Sequence, residues 1–232
     1  MTHPVWPLFD LRVHTPRLEL RYIDDEMAAE LAVLATKGIH ERDFMPFVIP
    51  WSLEPSPALE RNTMQFYWRS RAETSATDWN INLATVVDGQ VAGTTALIAK
   101  DFPILRQFET GSWLGRSFQG KGIGKEMRIA TLHLGFIGLS GEMATTSAWD
   151  DNGPSLGVTR SLGYEDAGTR RGVRQGLPAS TRQFQMSRAD FASRVQRDDI
   201  RLVGVDACLD LLGLGTHTNA DTSTSAERPA PQ

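Results

Sequence analysis

Apolar and charged positions alternate along Leu18-Glu19-Leu20-Arg21, which predicts a first strand with one face turned to a core. Asp24 or Asp25 can cap a helix running to about Thr36, where Gly38 offers the stop. A second helix is expected from about Ala58 to Ala72. Two β-rich runs follow, Asn80–Val87 and Gln90–Ala99, separated by Asp88-Gly89, a dipeptide that favours a two-residue hairpin turn. Residues 108–115 form another strand candidate. Ile123, Met127, Ala130, Leu134 and Ile137 recur at helical spacing, so a helix is predicted from about Gly122 to Gly138. Met143–Ala148 reads as a short strand, Asn152–Leu162 as a helix stopped by Gly163, and residues 165–171 and 182–188 as two closing strands.

The ends and one internal stretch lack such periodicity. Residues 1–14 read as an irregular leader containing Pro4 and Pro7. Residues 39–58 are rich in proline and aromatic side chains and predict a long loop, of the kind that often carries a binding site. Residues 191–215 form a short appendage in which Ile200 and Leu202 alternate like a strand and Ala207–Leu212 looks helical. Residues 216–232 are rich in Thr, Ser, Ala and Pro and read as a disordered tail. The main domain is therefore expected over 15–190, as a mixed α/β unit with helices covering a central sheet.

Composition narrows the function classes. Of 232 residues, 41% are apolar and 22% charged, which suits a globular chain with a sizeable core. The formal net charge of -4 gives no global attraction to nucleic acid or to an anionic membrane, and neither is expected as a partner. No apolar stretch is long enough to span a bilayer, and residues 1–10 lack the pattern of a secretory signal. Cys208 is the only cysteine, so no intrachain disulfide can form, and a cytoplasmic location is expected. The five histidines are scattered without ligand-like spacing, so no metal is expected.

The chemistry lies in Trp113-Leu-Gly-Arg-Ser-Phe-Gln-Gly-Lys-Gly-Ile-Gly-Lys125, where a strand enters a glycine-rich turn that opens a helix. Glycines allow positive φ and close approach of backbone to a ligand. The unpaired N–H groups of the first helical turn add to the helix dipole and make an anion site that suits a pyrophosphate. A mononucleotide-binding phosphate loop is excluded, because Gly122 stands where Ser or Thr would hold magnesium after Gly115, Gly120 and Lys121. A dinucleotide fingerprint fails on register, and on the hairpin that precedes the turn.

Gln119-Gly-Lys-Gly122-Ile-Gly124 resembles the Gln/Arg-x-x-Gly-x-Gly/Ala signature of the GNAT (GCN5-related) N-acyltransferases. Asn152-Gly-Pro-Ser155 and Ser161-Leu-Gly-Tyr164 resemble motifs of the branch that contains the ribosomal-protein N-acetyltransferases, as does the opening Thr15-Pro-Arg-Leu-Glu-Leu-Arg21. The stretch from Trp79 to Gly115 is most similar to an actinobacterial subgroup thought to transfer succinyl groups. The resemblance implies the GNAT fold: a mixed, mostly antiparallel sheet with helices on both faces and a splayed strand pair that admits coenzyme A. It implies acetyl-CoA or succinyl-CoA as cosubstrate and a primary amine, on a small molecule or a protein, as acceptor.

The same resemblance implies roles for individual residues. The backbone of Gln119, Gly120, Lys121, Gly122, Ile123, Gly124 and Lys125 would hold the pyrophosphate. The backbone at Trp113 and Leu114 would bind the pantetheine, and an N–H there would act on the thioester oxygen. Glu109, on one strand face with Gly111 and Trp113, is the expected base, ahead of Asp78 and Asp101. The tyrosine that many relatives use to protonate the thiolate is replaced by Thr159, which makes Ser155 the better donor. Asn152 would cap its helix and touch the pantetheine. Phe44, Met45, Phe47 and Trp51 of the long loop would shape the acceptor pocket.

Each role has a plain alternative: Trp113 as core, Glu109 as a solvated strand end, Ser155 as an ordinary first-turn hydroxyl, and the loop aromatics as anchors. A succinyl donor would need a cation, for which Arg106, Arg116 and Lys100 are candidates. The competing function is a non-catalytic acyl-CoA sensor that lacks the acid. A homo-oligomer is left open.

Overall fold

A computed structural model describes residues 3–215. Its centre is a sheet of nine strands: β1 (Arg12–His14), β2 (Leu18–Tyr22), β3 (Asp78–Val87), β4 (Gln90–Lys100), β5 (Gln107–Leu114), β6 (Met143–Trp149), β7 (Glu165–Arg174), β8 (Leu177–Ser187) and β9 (Arg201–Val203). Their spatial order is β7-β8-β6-β5-β4-β3-β2-β1-β9. Every neighbouring pair is antiparallel except β5 and β6, which run parallel.

The helices are α1 (Asp25–Thr36), α2 (Ala58–Ala72), the single turn α3 (Phe102–Leu105), α4 (Ile123–His133), α5 (Gly153–Ser161), α6 (Arg188–Arg194) and the short α7 (Val205–Cys208). Alternation along β3 sorts them onto two faces. Trp79, Ile81 and Leu83 join the larger core with Met127, Ala130 and Leu134 of the α4 segment. Ala84 points the other way, to Ala28 and Leu31 of α1 and Tyr67 of α2. Leu156 and Leu162 place α5 with the larger core. Among the described residues no helix is long and apolar enough to cross a membrane.

Local chemistry explains the best-defined boundaries. Asp24 caps α1 by accepting the Met27 N–H at 2.8 Å. The β3–β4 turn places Asp88 at φ 48° and Gly89 at φ 76°, the left-handed pair that matches strand twist. At Gly93 a side chain would overlap the Trp113 carbonyl, so glycine lets the end of β5 close onto β4.

Several expectations need correction. The leader is not irregular: a 3-10 turn covers Pro7–Asp10, and β1 pairs with both β2 and β9. Residues 165–171 and 182–188 belong to one longer hairpin, β7–β8, turned at Gln175 and Gly176. The helix expected to reach Gly138 changes at Leu134 into a π-helical turn. That turn takes an extra residue and rotates Ile137 outward, to 44% exposure, so it leaves the predicted stripe. In the appendage the helix is confined to Val205–Cys208. The expected disorder of 216–232 lies outside the described residues.

Candidate active site

β5 and β6 pair only at Gln107–Glu109 against Met143–Thr145 and then part. Beyond that point β5 continues to Leu114, and the chain turns through a 3-10 segment at Arg116–Phe118 into α4. Gly120 has φ 72° and Gly122 φ 78°. A Cβ on Gly120 would meet no protein atom within 4 Å, so the backbone there faces open space. α4 starts with no side-chain cap, unlike α1, α5 and α6. Its first amides therefore have no carbonyl or side-chain oxygen to satisfy them. Successive amides with left-handed glycines form a concave anion site.

The turn is braced from behind. Gln119 Nε2 donates to the Leu114 carbonyl at 2.8 Å and to the Ile39 carbonyl at 2.7 Å, which pins the strand end and the long loop together. Glu126 of α4 accepts from Thr15 Oγ1 at 2.6 Å and from Arg17 Nε at 2.5 Å. Arg17 Nη1 in turn donates to the Lys121 carbonyl at 3.2 Å. Burial would raise the Glu126 pKa, but the hydrogen bonds from Thr15 and Arg17 outweigh it and hold the carboxyl below its ordinary range.

Two cavities open on this region. The larger, about 800 Å³, runs between the turn, β5 and the start of α5. Leu114, Gln119, Gly120, Gly122, Gly124, Lys125, Asn152 and Ser155 line it. Asn152 Oδ1 accepts the Ser155 N–H at 3.3 Å as the α5 cap. The half-buried Ser155 hydroxyl faces this cavity and has no protein hydrogen-bond partner among the described residues. The smaller cavity, about 310 Å³, lies between the sheet, α2 and the long loop. Phe47, Trp51, Phe66, Tyr67 and Trp113 give it aromatic walls, and Asn62, Asn80 and Asn82 supply amides. Both cavities touch Phe47, Ser112 and Trp113, so they meet at the free end of β5.

The arrangement combines an uncapped, glycine-rich helix start, a slot between parting strands and a second pocket abutting it. Residues 17–165 match the model of the GNAT acetyltransferase domain. The chain belongs to the GNAT acetyltransferase family. Solved structures of acetyltransferases share its fold. One is RimL, a ribosomal L7/L12 α-N-protein acetyltransferase in complex with coenzyme A, at 19% identity and a TM-score of 0.61 over 75% of this chain and 95% of that one. Another is the microcin C7 self-immunity acetyltransferase MccE with acetyl-CoA and AMP, at 20% identity and a TM-score of 0.60 over 74% of this chain and 93% of that one. A GCN5-related N-acetyltransferase from Brucella melitensis aligns at 18% identity with a TM-score of 0.64, over 80% of this chain and 82% of that one.

In this GNAT enzyme the predicted residues divide among several places. Trp113 borders both cavities and packs on Trp51 at a centroid distance of 5.8 Å. Ile123 is buried beneath the turn, in the core. Lys121 points its amine to the Ser117 carbonyl at 2.7 Å. Phe44 lies on the larger cavity, not the smaller, under the Arg174 guanidinium. Met45 is 3% exposed and lines neither cavity. Phe47 and Trp51 pack together at 5.3 Å and do line the smaller one.

Glu109 lines neither cavity, although its strand face is shared with Gly111 and Trp113 of the smaller one. Burial pushes its carboxyl pKa up, tempered by the solvent that still reaches it. Thr159 is buried at 2% exposure, away from the cavity lining.

Three features escaped the sequence reading. Asn80 and Asn82 sit on the pocket face of β3, where a strand pattern alone gives no hint of a cavity. Arg17 belongs to the quoted Thr15-Pro-Arg motif, but its reach to the turn needed the fold. Arg128 interrupts a helix that is buried without a break from Glu126 to His133, and a charge in such a run was a usable signal.

Proposed function

We propose that this chain catalyses transfer of an acetyl or succinyl group from coenzyme A to a primary amine, by direct attack of the amine on the thioester. The observation that carries this is the meeting of the two cavities at Phe47, Ser112 and Trp113, where β5 parts from β6. The uncapped start of α4 takes the pyrophosphate, and Lys121 and Lys125 add positive charge near it. The exposed edge of β5 offers backbone groups to the pantetheine. In the transfer, the amine nitrogen bonds to the acyl carbon, the carbon–sulfur bond breaks, the amine loses a proton and the thiolate gains one. Ser155 is the proposed proton or hydrogen-bond donor to the thiolate, because its hydroxyl faces the coenzyme cavity. Glu109 is the proposed sink for the amine proton, reached through water.

The acceptor proposed from the smaller cavity is an amine on a neutral, apolar or aromatic body. Among the described residues no charged side chain lines that cavity, and its lining includes the exposed Ile49 and Phe66. A polyamine would find no carboxylate in it. A panel of arylalkylamines, polyamines and peptide N-termini, assayed by thiol release from acetyl-CoA and succinyl-CoA, tests the proposal. Arylalkylamines should be preferred. The second reading, a sensor, is favoured only by Thr159 at the usual tyrosine position; acyl-CoA binding with no thiol release to any amine would select it.

A further inference from the structure

The floor of the larger cavity contains a cation that the transfer chemistry does not use. Arg128 lies on α4 and is 5% exposed. Its Nη1 donates to Thr146 Oγ1 at 3.1 Å and its Nη2 to Ser112 Oγ at 3.4 Å. Ser112 is on β5 and Thr146 on β6, both beyond Glu109 and Thr145, where the two strands last pair. The guanidinium therefore bridges the strands in the gap between them. Its Nε is buried without a hydrogen-bond partner.

Among the described residues no carboxylate stands within 4 Å of Arg128, and none of the nine ion pairs includes it. A buried ion needs a counter-charge and a full set of hydrogen bonds, and two neutral hydroxyls do not supply them. Guanidinium is permanently charged, so it cannot escape by releasing its proton. Of the other candidate cations for an acyl carboxylate, Arg116 alone lines this cavity, and it already has a counter-charge. Arg106 packs over Phe102 at 5.8 Å, Lys100 ends β4 opposite Asp78, and Arg116 is paired with Glu41.

We propose that Arg128 binds a carboxylate at the far end of the acyl group, which makes the donor a coenzyme A thioester of a dicarboxylic acid, with succinyl-CoA as its four-carbon member. This rests on the acyltransferase reading above and names the donor class for the same site. An acetyl group leaves the buried charge uncompensated. A terminal carboxylate at the cavity floor can accept from the Nη hydrogens that Thr146 and Ser112 leave free, a charge-assisted pairing that guanidinium favours. Ser112 links the two substrates, since it holds Arg128 and also borders both cavities.

Titration calorimetry on the full chain tests this with fresh succinyl-CoA and with butyryl-CoA, which has the same carbon count and no carboxylate. Wild type should bind succinyl-CoA about tenfold or more tighter, as a charge-assisted pair implies. Arg128→Gln should erase that preference while its affinity for free coenzyme A stays near wild type. Arg128→Lys, which keeps the charge without the fork, should retain part of it. Equal binding of the two thioesters by wild type overturns the proposal and leaves the acyltransferase reading intact, and this comparison needs no variant to fold. A preference that survives in Arg128→Gln also overturns it. Failure of wild type to bind any coenzyme A thioester removes both readings.

Discussion

Arg17 Nε lies 2.5 Å from Glu126 Oε2, and the pair ties the residue before β2 to the first turn of α4. The carboxylate is nearly buried and the guanidinium half exposed, at 8% and 53%. Glu126 also accepts from Thr15 Oγ1 and from the Arg17 backbone N–H at 3.2 Å. These bonds reach the glycine-rich turn from behind, so they brace it without entering the cavity in front of it. Glu126→Gln should lower stability by about 1–2 kcal/mol at neutral pH, the scale for hydrogen bonds to a charged group with one screened partner.

The pH dependence of that loss has a definite sign. The folded pKa of Glu126 is held below its ordinary value of 4.5. Its contribution is thus present above the unfolded pKa and is lost as pH falls through the folded value. Urea unfolding at several pH values should show the gap between wild type and Glu126→Gln closing only in acid. A gap that is constant down to acid unfolding would mean the charge is irrelevant.

Gly120→Ala separates the turn's shape from its packing. The new Cβ meets no protein atom within 4 Å, yet φ of 72° disfavours any side chain by about 1–2 kcal/mol. Gly122 makes a poorer test, because a Cβ there would press on Arg17 Nη2 at 3.3 Å. Gly120→Ala should therefore fold with a small loss of stability. Its affinity for coenzyme A should fall about tenfold or more, since the backbone amides are charge-assisted donors to phosphate. Unchanged affinity would detach this turn from the cofactor.

Trp51→Ala addresses the acceptor side alone. Trp51 bridges Phe47 and Trp113 and lines only the smaller cavity. The acceptor KM should rise about tenfold, the worth of one aromatic wall. The dissociation constant of coenzyme A should stay within about twofold of wild type. The reverse pattern would assign Trp51 to the donor.

The parts legible in the sequence are those with a local cause. Asp88-Gly89 fixed a hairpin because only certain residues tolerate left-handed φ, and Asp24 and Asn152 marked helix starts because their side chains cap amides. β1 was missed because Arg12–His14 is a strand only by virtue of β2 and β9 on either side. The β7–β8 hairpin was shortened because β7 is exposed almost throughout and shows no apolar alternation. The glycine turn was readable for the same reason as the hairpin. The second cavity was not, because it arises where α2, the loop and β3 converge.

Glu109→Gln tests the proposed base. Glu109 lies four residues before Trp113 on an extended strand, about 13 Å at ordinary strand rise, so any proton it accepts must travel through water. Burial raises its pKa above 4.5, which improves it as a base but makes its ionised form unfavourable for folding. For a raised pKa the stabilising contribution is present below the unfolded value and lost as pH rises through the folded one. At neutral pH, Glu109→Gln should therefore melt no lower than wild type. Its turnover should nevertheless fall by roughly 10², the usual scale of general-base catalysis. The loss should shrink as pH rises, because the acceptor amine then arrives already deprotonated. The acid-side decline of wild-type turnover should lie at higher pH than an unshifted glutamate would give. A variant that keeps full turnover across the pH range would hand deprotonation to solvent. It would leave the proposed cofactor site untouched, since Gln119, Gly120, Gly122 and Gly124 line a cavity that Glu109 does not reach.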